Sequence, residues 1–125
     1  YETPYEHFGK LTYEMWRACR LVVDTGIHEF GWSRDQAVDF MKSNTALSIH
    51  EINTEIDRYI SWPGQALAYK IGELKIRSLR NKVEEKLGQN FDIREFHELI
   101  LEKGTVTLSI LEKRINQYLE KKVHE

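Results

Sequence analysis

The chain has 125 residues, the length of one ordinary domain. Lysine and arginine number 18 against 20 aspartates and glutamates, so the formal net charge is −2 and no large positive field exists to hold a nucleic-acid backbone. With 41% hydrophobic and 30% charged residues the chain is globular, no apolar run nears the roughly 20 residues of a membrane helix, and the single Cys19 excludes an internal disulfide framework.

The chain opens on Tyr1, with no basic segment followed by an apolar one at its front. That points to a processed start or to a piece of a longer protein, and leaves the compartment open between cytoplasm and cell envelope.

Helical periodicity runs almost throughout, and no stretch alternates for long enough to form a sheet. The spacing predicts a first helix from about Phe8 to Phe30, stopped by Gly31, since glycine accepts the left-handed conformation past a helix end. Ser33 to Gln36 reads as a capping box that opens a short helix through Ala37, Val38, Phe40 and Met41. Ser48 to Glu51 is a second box, and Ile49, Ile52, Ile56 and Ile60 follow as a core stripe. Trp62-Pro63-Gly64 breaks that helix. A long helix then runs from about Gln65 to Leu87, stopped by Gly88. Its apolar sides, Tyr69, Ile76 and Val83 on one and Leu67, Ile71 and Leu74 on the other, imply packing between neighbours. Asp92 to Glu95 caps a helix lined by Phe96, Leu99 and Ile100, and the last helix spans about Leu108 to Lys121. The expected fold is all-α, an irregular array of about six helices in a single region, 1–125.

The first helix carries the chemistry. On a wheel of roughly 100° per residue, Arg17, Arg20, Asp24 and His28 fall within about 80° of one another. Most of the remaining circumference is apolar or small, which is the pattern of a buried helix. Buried ionisable groups need partners. Either Asp24 pairs with Arg20 at i,i+4 and the stripe is structural, or the stripe lines a polar cavity that takes a substrate. Gly26, on the far side of the wheel, suggests that another backbone packs closely there.

Four His-Glu pairs begin at His28, His50, His97 and His124, and none has a second histidine four residues on. No metal ligand set can be assembled from these motifs, no glycine-rich phosphate loop is present, and Cys19 on an apolar sector reads as a structural thiol.

The run Trp16 to His28 followed by Gly31-Trp32-Ser33 resembles a signature of the bacterial domain of unknown function 885 family. So does Glu55 to Ile60 with Pro63 to Gly72, and, more weakly, Leu87-Gly88, Phe91 to Arg94 and Phe96-His97. The likeness covers nearly the whole chain. Members of that family are longer and resemble helical zinc metallopeptidases of the gluzincin type, with their metal motif upstream of the matched region. The resemblance therefore implies a C-terminal piece of a peptidase-like hydrolase, with zinc in the full-length protein and none held by this chain. By analogy it makes His28 and Tyr69 candidate donors to a substrate carbonyl oxygen. Arg17, Arg20 and Arg58 become candidates for a substrate carboxylate, with Asp24 and Gln65 beside them. Its implied partners are the missing N-terminal part and a peptide-like substrate. A non-catalytic helical interaction module is the alternative. In either case a fragment is expected to associate through Tyr13, Trp16 or the Arg17–His28 stripe.

Overall fold

The first helix begins at a capping box that the apolar periodicity passes over. In the computed structural model, which describes residues 2–124, α1 spans Pro4–His28. Thr3 Oγ1 accepts the Glu6 N–H at 3.2 Å and Glu6 Oε2 accepts the Thr3 N–H at 3.0 Å, with Pro4 in the first turn. Proline suits that position because its missing N–H would be an orphan there. The remaining helices are α2 (Arg34–Asn44), α3 (Ile49–Ser61), α4 (Ala68–Leu87), α5 (Ile93–Leu101) and α6 (Leu108–Val123). Single turns of 3-10 helix at Gln65–Leu67 and Gly88–Asn90 precede and follow α4. The described residues contain no strand, and the fold is all-α.

The boxes at Ser33 and Ser48 form as their sequences require. Ser33 Oγ accepts from the Gln36 N–H and Gln36 Oε1 from the Ser33 N–H. Glu51 returns to Ser48 in the same way, and the Ser48 hydroxyl and N–H hold its carboxyl below the usual glutamate range. Asp92 caps α5 through the Arg94 N–H at 2.8 Å, but Glu95 does not complete a box. It accepts instead from the Tyr118 hydroxyl of α6 and lies 3.5 Å from Lys122 Nζ.

The chain forms two compact units, residues 1–71 and 72–125, where the sequence reads as one region because no break interrupts α4. In the first, Cys19 and Val23 of α1 meet Ala37 and Met41 of α2, Ile52, Ile56 and Tyr59 of α3, and Ala66. The expected isoleucine stripe is thus half right. Ile52 and Ile56 are fully buried, Ile49 and Ile60 are exposed, and Tyr59 takes the third core position. The wheel explains why: Ile52, Ile56 and Tyr59 follow i, i+4, i+7, whereas Ile49 and Ile60 both fall on one flank of that stripe, beyond Ile56. Burial raises the Cys19 thiol above its ordinary range, as suits a structural thiol. In the second unit, Leu79 and Val83 of α4 pack with Phe96 of α5 and with Leu111, Ile115 and Leu119 of α6. Ile71 and Leu74, on the second apolar side of α4, are exposed among the described residues.

Gly26 has a different neighbour from the expected backbone. Gly31 turns the chain with φ 67°, and the Trp32 N–H donates to the Gly26 carbonyl at 2.8 Å. That folds the Trp32 indole onto Gly26, where a Cβ would lie 2.5 Å from ring atom Cδ2. Trp32 is itself packed on Phe40, with ring centroids 5.6 Å apart, so displacing it disturbs that contact. Gly26→Ala is expected to destabilise, because overpacking of about 1–3 kcal/mol outweighs a helix-propensity gain of about 1 kcal/mol. Urea unfolding checks this: the substitution should cost less in a Trp32→Ala background than in the native one.

Candidate functional site

Arg20 and Asp24 are the two buried charged residues among those described, 6% and 1% exposed. They lie one turn apart on α1, yet no ion pair links them. Both Asp24 carboxylate oxygens accept the Gly64 N–H, at 3.0 and 3.1 Å. Gly64 has φ 80°, a left-handed conformation that permits the tight turn after Pro63. Asp24 therefore anchors the break between α3 and α4, and the expected i,i+4 pairing does not form.

Arg20 is held by rings. Its guanidinium carbon lies 5.5 Å from the Trp16 ring, 5.5 Å from the Tyr59 ring and 5.2 Å from the Tyr69 ring. Aromatic faces attract a cation through their quadrupoles. Nη2 reaches Gln65 Oε1 at 3.4 Å, a long bond, and Nε is buried with no partner. No carboxylate of the described residues pairs with it. The Trp16 indole N–H donates to Tyr59 Oη at 3.2 Å and locks two of the rings together. Desolvation pushes the Tyr59 phenol strongly up, so it stays protonated. Tyr69 is the exposed wall of the cage, 58% accessible.

His28 sits at the end of the same helix, exposed, with Nε2 2.7 Å from the Tyr59 carbonyl oxygen. A carbonyl only accepts, so Nε2 carries the proton and donates. In the neutral ring Nδ1 is then an acceptor, and His28 offers a second donor only as imidazolium.

These segments are the ones that carry the two longest sequence motifs. The family described as bacterial protein of unknown function, DUF885, matches residues 1–115. The chain belongs to this family. The crystal structure of the "putative lipoprotein" from Colwellia psychrerythraea matches with a TM-score of 0.92 at 44% sequence identity, over 94% of this chain and 20% of that one. The DUF885 chain thus spans about a fifth of that relative's length. No curated protein matches it.

In this DUF885 chain the sequence candidates divide. Arg20, Gln65 and Tyr69 come together around the cage, Asp24 holds the turn that carries Gln65, and His28 is tied to the backbone of Tyr59. Arg17 is exposed and lines a separate shallow groove with Lys10 and Glu14. Arg58 is half exposed and meets Glu55 Oε1 at 3.4 Å. Trp16 and Tyr59, which build the cage, are missed by motif reasoning. Tyr59 was detectable as the i+7 partner of Ile52. Among the described residues no group of three or more His, Cys, Asp or Glu side chains is placed to hold a metal ion. No helix there is long and apolar enough to cross a membrane.

Proposed function

We propose that this chain is the C-terminal, substrate-binding portion of a zinc-dependent peptidase or related hydrolase, and that it supplies walls and donors without independent catalysis. The observation that carries this reading is Arg20, a buried guanidinium with no carboxylate partner, set beside Gln65 and the exposed Tyr69. Buried cations are ordinarily paired, and one held by π faces keeps its hydrogen-bonding edge for another group. A substrate carboxylate fits a guanidinium through a planar two-point contact. Movement of Tyr69 would uncover it, and Arg17 and Arg58 would add positive charge from outside the cage. Tyr69 and a doubly protonated His28 would donate to the scissile carbonyl oxygen as it gains charge, and Asp24 would keep Gln65 in place. Zinc belongs to the rest of the full-length protein, where it would polarise that carbonyl and supply the activated water.

The test uses the full-length protein loaded with zinc and a peptide library. Tyr69→Phe and His28→Leu should each lower turnover about 100-fold, the cost of one lost donor to a developing oxyanion. Zinc content should stay unchanged. A full-length sequence without an upstream His-Glu pair and Pro-Gly-His-His segment would remove the enzyme reading.

A helical interaction module is the second reading, and one observation favours it. Phe8, Leu11, Met15 and Val22 form an exposed apolar stripe on α1, opposite Arg20 and Asp24 on the wheel. Association through Tyr13, Trp16 or the Arg17–His28 stripe would belong to this reading too, with Tyr13, Arg17 and His28 exposed and Arg20 and Asp24 buried. Loss of binding to a partner on Met15→Glu, with turnover absent in the full-length protein, would favour the module.

A further inference from the structure

The first turns of α1 run ahead of the core. The buried residues of this helix begin at Cys19, and neither core cluster includes a described residue before Trp16. Pro4 to Met15 is therefore about 18 Å of helix outside the core, a length that is marginal in water by itself. Its surface is divided in two. At roughly 100° per residue, Glu6, His7, Lys10, Glu14 and Arg17 share one sector, where Lys10 and Glu14 form an ion pair at 3.8 Å. Tyr5, Phe8, Gly9, Leu11, Tyr13 and Met15 take the other, which is about 200° wide. Its large side chains are all exposed, Phe8 by 63%. Thr12, the polar member of this sector, turns its hydroxyl back to the Phe8 carbonyl at 2.9 Å.

Three features identify what covers this surface. A helix lying on one flat neighbour needs an apolar stripe of about 100°. Twice that width calls for walls on both sides, which a second copy pairing along α1 would not supply. Glycine weakens a helix interior relative to alanine. At Gly26 a close neighbour accounts for it, because a Cβ would strike Trp32, but a Cβ at Gly9 would meet no other described part of the chain within 4 Å. Finally, the Colwellia relative shares this fold and has about four-fifths of its length outside the matched region. We propose that the first turns of α1 insert into a two-walled apolar cleft on the upstream part of the full-length protein, with Gly9 at the closest approach. The inference rests on the reading of the chain as a portion of a longer protein, and not on hydrolysis.

The test uses the full-length protein. Phe8→Cys, Leu11→Cys and Glu14→Cys are each labelled with a maleimide under native conditions, with the parent as background. Phe8→Cys and Leu11→Cys should react at least 100-fold more slowly than Glu14→Cys, at every protein concentration. Gly9→Ala should lower the melting temperature, whereas in an uncovered helix it would raise it. Equal labelling at the three positions, protection that disappears on dilution as a second copy leaves, or a raised melting temperature for Gly9→Ala would overturn the proposal. Protection without peptide hydrolysis would remove the hydrolase reading and leave this one standing.

Discussion

Asp24→Ala should lower the unfolding free energy of the first unit by about 2–4 kcal/mol. Asp24 is almost fully buried, and both its oxygens take one N–H, that of Gly64, 40 residues along the chain. Removing the carboxylate costs a charge-assisted bond worth about 1.5–3 kcal/mol and leaves the side chain's space unfilled. The damage spreads because of what Gly64 begins. The 3-10 turn at Gln65–Leu67 starts there, buries Ala66 in the core and sets Gln65 against Arg20. Asp24→Asn keeps one acceptor oxygen and should lose roughly half as much. Urea unfolding with unchanged slope would report the loss as stability alone. An alanine variant as stable as the parent would mean that the turn is held by Pro63 and Ala66 without Asp24.

Arg20→Met should separate stability from function. Two large terms oppose each other in the native protein. Three aromatic faces attract the guanidinium by about 0.5–2 kcal/mol each. Desolvating an unpaired cation costs several kcal/mol, and replacing buried ions by apolar groups of like size is often neutral or stabilising. Methionine fills the cage without the charge, so the unfolding free energy should stay within about 1 kcal/mol of the parent. On the proposed hydrolase reading, the same change in the full-length protein should lower turnover roughly 10- to 100-fold, because it would remove a two-point substrate contact worth about 1.5–3 kcal/mol. Arg20→Lys should restore little, because an ammonium lacks the planar fork. A variant that loses stability and turnover together would make Arg20 structural. One that loses neither would remove it from the site.

Much of the secondary structure was legible because its signals are local. Ser33 with Gln36, and Ser48 with Glu51, bond across three residues, so those helix starts can be read directly from the chain. The equivalent Thr3–Glu6 box lies ahead of the start read at Phe8, in a first turn whose Tyr5 is exposed and adds nothing to the buried face. Glu95 carried a correct local signal that a tertiary partner overrode: Tyr118 of α6 draws its carboxylate away from the α5 cap. Gly26 was rightly marked as a close approach, but a backbone and an indole are indistinguishable from its spacing alone.

The site divides in the same way. The sequence alone established an all-α fold, the α1 face shared by Arg17, Arg20, Asp24 and His28, and the break at Pro63. It also carried the motifs of the family to which the chain belongs. It could not assign partners within the stripe, and the nearest candidate was wrong: Asp24 passes over Arg20, one turn away, for Gly64. Only the tertiary structure put three rings around Arg20 and left its Nε unpaired. The reason is range. A helix and its caps close bonds within four residues, whereas a buried charge takes its partner from whichever distant segment packing brings to it, here α3 and the turn after it.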